Sequence, residues 1–171
     1  MPRHVEDRFL PYTPEQMFDL VADIGRYPDF LPWVQAMRIT ARDKASVTAD
    51  MIVGFKMVRE RFTSRVTLDR PRSLHVEYIS GPLRYLRNDW GFAPAPGGCT
   101  VHFAVDFEFK AKLFERLAGV FFGEAFRRMV ASFEKRAGEL YGAGAPVAPV
   151  AVSPPAPSAT AAPARTAPPA A

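Results

Sequence analysis

Val101, Phe103, Val105, Phe107 and Phe109 are separated by single, mostly polar or small residues, and this alternation narrows the fold more than any other feature of the chain. Successive side chains of a strand point to opposite faces, so the run predicts a strand with one apolar and one wet face. The pattern is repeated upstream. Val47, Ala49, Met51 and Val53 form one series, Val58, Phe62, Val66 and Leu68 a second, Leu74, Val76 and Tyr78 a third, and Leu86, Trp90 and Phe92 a fourth. Turn-forming residues lie between them at Asp69-Arg70-Pro71, Ser80-Gly81-Pro82 and Pro94-Ala95-Pro96-Gly97-Gly98. An antiparallel meander with one buried face is expected.

A half-buried sheet needs a cover, and the sequence supplies one. From Lys112 to Tyr141 there is no proline, and Phe114, Leu117, Phe121, Ala125, Met129, Phe133, Ala137 and Leu140 recur at three- and four-residue spacing. This predicts a long amphipathic helix lying across the sheet. Residues 4 to 10 read as a first strand. Thr13-Pro14-Glu15-Gln16 then resembles a capping box with proline at the first helical position. Met17, Phe18, Leu20, Val21 and Ile24 give this helix its apolar face, and Gly25 and Pro28 divide it from a second short turn that ends before Pro32. The expected fold class is α+β: a sheet of about seven antiparallel strands with topology β-αα-β6-α, spanning residues 1–142. Residues 143–171 are mostly Ala and Pro, with Arg165 as their only charge, and are expected to form a disordered tail without a core.

Several kinds of chemistry find no support. His4, His75 and His102 fall on three different strands, each expected on a polar face, with no spacing that gathers metal ligands. Cys99 is the only cysteine, follows Gly97-Gly98 in an expected turn, and has no second thiol to pair with. No glycine-rich loop precedes a helix, which disfavours nucleotides. The net charge of +4 comes from a balanced mixture of signs and points only weakly to acidic partners. No apolar run approaches the roughly 20 residues that span a bilayer. The first ten residues carry His4, Glu6, Asp7 and Arg8, so neither a secretory leader nor a transit segment is expected.

Two polar residues stand apart. Alternation turns Glu60 inward between Val58 and Phe62, where it is either a polar anchor in a cavity or is relieved by a bulge or by Arg59 or Arg61. Asn88 has the same ambiguity between Leu86 and Trp90. The fourteen phenylalanines suit either a filled core or the aromatic walls of a hollow one. On the long helix, Val120, Phe122, Phe126 and Val130 widen the apolar face beyond what one sheet needs, beside Lys112, Arg116 and Arg127. That surface is expected to meet a membrane or a second copy of the chain. Arg59, Arg61, Arg65, Arg84 and Arg87 with Tyr85 make an outward basic face, which is either simply solvated or able to meet RNA.

The run Val21-Ala22-Asp23-Ile24-Gly25-Arg26-Tyr27-Pro28-Asp29-Phe30-Leu31-Pro32-Trp33-Val34 resembles the YPxFLPW signature of the coenzyme Q-binding START-like proteins, whose bacterial relatives are named ribosome association toxins. These belong to the wider polyketide cyclase/dehydrase superfamily. Gly81-Pro82-Leu83, Asn88-Asp89-Trp90-Gly91-Phe92 and Phe133-Glu134-Lys135-Arg136-Ala137 extend the resemblance over about residues 3 to 142. It implies a helix-grip fold, a tunnel that holds ubiquinone without changing it, and delivery of quinone to the respiratory chain at the inner-membrane surface from the cytoplasm. It also implies, as an alternative, a toxin that binds the large ribosomal subunit and blocks subunit association. A cyclase-like enzyme on the same fold would need an acid/base pair, for which only Glu60, Asn88 and Tyr78 are candidates. The family often has Cys where this chain has Val34, so no thiol chemistry carries over.

On this reading Tyr27, Phe30, Leu31 and Trp33 form the mouth or lid of the tunnel. Phe62, Tyr78, Trp90, Phe107, Leu117 and Phe121 line its walls, with the tyrosine hydroxyl on a quinone carbonyl. Lys112, Arg116, Phe122, Phe126 and Arg127 meet the membrane or a partner. No metal and no cofactor other than the bound quinone are expected.

Overall fold

A computed structural model describes residues 3–55 and 58–142. Its elements run β1 (Arg3–Leu10), α1 (Pro14–Ala22), a single 3-10 turn (Ile24–Arg26), α2 (Tyr27–Phe30), β2 (Val34–Arg42), β3 (Ser46–Phe55), β4 (Val58–Asp69), β5 (Ser73–Ser80), β6 (Leu83–Ala95), β7 (Gly98–Phe109) and α3 (Lys112–Tyr141). The expected β-αα-β6-α order is the one found. The strands form one antiparallel sheet in the order β1-β7-β6-β5-β4-β3-β2. The two helices after β1 carry the chain from one edge of the sheet to the other, so β1 closes against the last strand, with Arg3 opposite Asp106 and Leu10 opposite Cys99. The Ala/Pro segment expected to be a tail lies outside the described residues.

Local chemistry explains the helix starts. The Thr13 hydroxyl accepts from the Gln16 amide at 3.1 Å and the Gln16 side chain accepts from the Thr13 amide at 3.0 Å, which completes the capping box. Pro14 occupies a position whose amide would have had no helical partner. At α3 the Glu115 carboxylate accepts from the Phe109 amide at 3.0 Å and ties the strand end to the first helical turn. The far end of α3 is pinned to α1: Tyr12 donates to the Gly142 carbonyl and Tyr141 to the Gln16 carbonyl, each at 3.0 Å.

The packed core is built from α1, the strands and the last turns of α3. Met17, Val21, Leu74, Cys99 and Ala137 are sealed from solvent. Two expectations are corrected. Cys99 lies in β7 and is completely buried, because the strand begins at Gly98 and the turn shrinks to Pro96-Gly97. Gly98 permits this packing, since a Cβ there would sit 2.0 Å from the Leu10 carbonyl oxygen. His4 is not on the outer face: β1 turns its even-numbered residues toward α3, and the imidazole lies 3.7 Å, centroid to centroid, from the Phe126 ring. His75 and His102 do face outward, on Asp89 and Asp7 respectively.

Candidate functional site

The sheet and α3 meet unevenly, and the site follows from that. Toward the C-terminus of α3 the space is narrowed by rings. Phe133 contacts Tyr27, Phe30 and Trp90 at 5.3–5.6 Å between centroids, and Phe103 lies 4.6 Å from Trp90 and 5.2 Å from Phe126. Toward the N-terminus the helix contributes Phe114, Ala118, Phe121 and Ala125, at spacing that keeps all four on one face, and two of these are too small to reach the sheet. A cavity of about 420 Å³ remains.

The opposite walls are inward residues of four strands. Met51 and Val53 come from β3, Glu60 and Phe62 from β4, Leu83 and Leu86 from β6, and Val105, Phe107 and Phe109 from β7. A second cavity of about 200 Å³ adjoins it under α1 and α2, and Trp33, Met51, Phe62, Leu86 and Val105 line both. Trp90, Phe103 and Phe133 border this second cavity, so the interior narrows toward the C-terminus of α3 without closing.

Of the residues expected at the mouth, Trp33 borders both cavities, and Tyr27 and Leu31 border the smaller. Phe30 does not line either. It packs edge-on against Tyr27 and Phe133 and carries the Arg136 guanidinium 5.6 Å over its ring, so it stands at the narrow end. Among the expected walls, Phe62, Phe107, Leu117 and Phe121 line the larger cavity and Trp90 the smaller. Tyr78 lines neither, and its hydroxyl accepts from the Leu83 amide at 3.1 Å. The Ser80-Gly81-Pro82 turn folds Leu83 back over it.

The expected outward patch on α3 is also revised. Phe126 is buried and Phe122 lines the larger cavity against Phe107, because both lie on the sheet-facing side of a helix that is apolar over more than one stripe. Lys112, Arg116 and Arg127 are exposed as expected. Of the surplus apolar residues Val120 does face outward, 75% exposed, and Leu113, 65% exposed, joins it beside these bases. Sequence reasoning missed Leu86, Val105, Phe109, Phe114, Ala118 and Ala125 as wall residues. Strand parity and the 114-118-121-125 spacing carried that signal.

The polar groups of the interior are few. Asn88 is inward and fully used: its amide nitrogen donates to the Ala104 carbonyl and its oxygen accepts from the Trp90 indole, each at 3.0 Å. Tyr27 donates to the Val21 carbonyl, and burial pushes its hydroxyl well above the ordinary phenol range. Glu60 has no hydrogen bond or ion pair to Arg59 or Arg61, and Arg61 turns outward to Asp50. No cluster of His, Cys, Asp or Glu that would hold a metal exists among the described residues.

A curved antiparallel sheet that grips a long helix across an apolar cavity is the START-like fold, which a START superfamily protein from Mycobacterium smegmatis shares at 17% identity and a TM-score of 0.67. The chain belongs to the family described as polyketide cyclase / dehydrase and lipid transport, whose model matches residues 10–134. It is 36% identical over 137 residues to the ribosome association toxin RatA of Rickettsia prowazekii, covering 78% of this chain and 94% of that one. It is 37% identical over 142 residues to the mitochondrial coenzyme Q-binding protein COQ10 homolog B of Xenopus laevis, covering 80% of this chain but only 58% of the frog protein. The solution structure of an 18 kDa protein from Caulobacter crescentus is 39% identical with a TM-score of 0.69, covering 84% of this chain and all of that one.

Proposed function

We propose that the protein is a carrier of ubiquinone that binds the lipid without chemical change and exchanges it at the surface of the inner membrane. The observation that carries this reading is the cavity itself. Its volume of about 420 Å³ lies within the range of small-molecule sites, and apart from Glu60 its wall is apolar and rich in aromatic rings. A flat quinone ring suits such walls, and the adjoining chamber of about 200 Å³ gives a tail somewhere to go. The relative named for coenzyme Q binding supports the choice of lipid.

Catalysis by acid and base is disfavoured by the lining. Glu60 has no polar partner among the described residues, both ends of the Asn88 amide are engaged, and Tyr78 is outside the cavity. Exposed Leu113 and Val120, flanked by Lys112, Arg116 and Arg127, support α3 as the side that meets an anionic membrane. No helix among the described residues is long and apolar enough to cross a bilayer.

The match over 94% of the Rickettsia toxin favours a second reading, binding of the large ribosomal subunit through the outer face of the sheet. That face is only partly basic, since Arg61 pairs with Asp50 and Arg84 with Glu108. One preparation separates the two. Protein purified from its own membranes and analysed by native mass spectrometry with solvent extraction is expected to carry quinone at near-stoichiometric amount. An empty protein that sediments with large ribosomal subunits, and leaves them as salt is raised, would replace the carrier reading with the toxin reading.

A further inference from the structure

Among the described residues Glu60 is the only ionisable side chain in the wall of the larger cavity, and the carrier reading leaves it unused. It sits on β4 opposite Val53, between Val58 and Phe62, with its side chain toward an otherwise apolar space. Among the described residues no side chain or backbone group pairs with it. The Trp33 indole borders both cavities and likewise has no hydrogen-bond partner among the described residues. Glu60 is only partly buried, so water can solvate it in the ligand-free protein, and a ligand that fills the cavity displaces that water and has to supply the partner itself.

An ionised carboxylate only accepts hydrogen bonds. A quinone head offers carbonyl and ether oxygens, which are acceptors as well and meet Glu60 with repulsion. A hydroquinone or phenol offers hydroxyl donors of the kind the cavity lacks. We propose that Glu60 makes this a site for hydroxyl-bearing aromatic lipids, so that the reduced quinol is held in preference to the quinone. The inference deepens the carrier reading and rests on it for the identity of the lipid. A hydrogen bond to a charged partner is worth about tenfold or more in affinity, which sets the size of the preference.

The test uses the full chain, with binding followed by tryptophan fluorescence under anaerobic conditions. Decylubiquinol is compared with decylubiquinone, and 4-nonylphenol with its methyl ether. Wild type is expected to prefer the hydroxyl-bearing member of each pair by about tenfold, and E60Q, whose amide both donates and accepts, to bring each ratio close to one. Equal binding of the two members by wild type, or a preference that survives in E60Q, overturns the proposal. If neither quinone form binds while the phenol is preferred and E60Q abolishes that preference, the ubiquinone reading falls and the role of Glu60 stands.

Discussion

At the scale of single residues, alternation read inward and outward correctly for most of the sheet, and its failures have physical causes. Glu60 and Asn88 follow the same rule and end differently: Asn88 bonds to the backbone of the adjacent strand and to the Trp90 indole, whereas Glu60 faces open space. Cys99 was misplaced because glycines beside it read as a turn, yet Gly98 is there to let β7 begin under Leu10. Its thiol is pushed by burial from 9.0 up to about 11. The folded chain therefore resists alkylation at pH 8, and iodoacetamide is expected to label Cys99 only in denaturant. The sign of the pH dependence follows. The unfolded thiol ionises first, so stability from this group is intact below pH 9 and declines between pH 9 and about 11. Urea titrations of wild type and C99A across that window check it, with the smaller slope expected for the variant.

At the scale of elements, α3 carries two functions along its 30 residues. Its C-terminal half is a packing helix, anchored by Phe126, Phe133 and Ala137. Its N-terminal half lines a cavity on one side and exposes Leu113 and Val120 on the other. The sequence pattern shows a face too wide for one partner, and the fold assigns the surplus: Phe122 and Phe126 go inward, Leu113 and Val120 outward. Burying each of the two exposed side chains in a membrane interface would contribute about 1–2 kcal/mol. L113S/V120S is accordingly expected to weaken binding to vesicles containing anionic phospholipid by at least tenfold, measured by co-sedimentation, with affinity for decylubiquinol in solution unchanged. Loss of both together would mean that the helix face is part of the ligand site.

At the scale of the whole molecule, a domain with an unfilled interior lacks dispersion contacts and gains them when a ligand enters. A ligand present at about 100 times its dissociation constant stabilises the folded state by about 2.7 kcal/mol. Thermal unfolding of the lipid-free protein is expected to shift upward by several degrees with decylubiquinol, and A118W, which places an indole in the cavity, to lose most of that shift. A variant that keeps the full shift would place the ligand elsewhere. The order of elements, the capping box at Thr13, the long helix and the inward parity of most strands were legible from periodicity alone, because they depend on neighbours a few residues apart. Hollowness was not. Whether Phe107 and Phe121 touch or face each other across a gap depends on Ala118 and Ala125, on where α3 is pinned through Tyr12 and Tyr141, and on which rings narrow the other end. Local sequence thus determined which faces are apolar, and the tertiary structure alone decided where they meet and where they stand apart, because a cavity is set by distances between elements far apart in the chain.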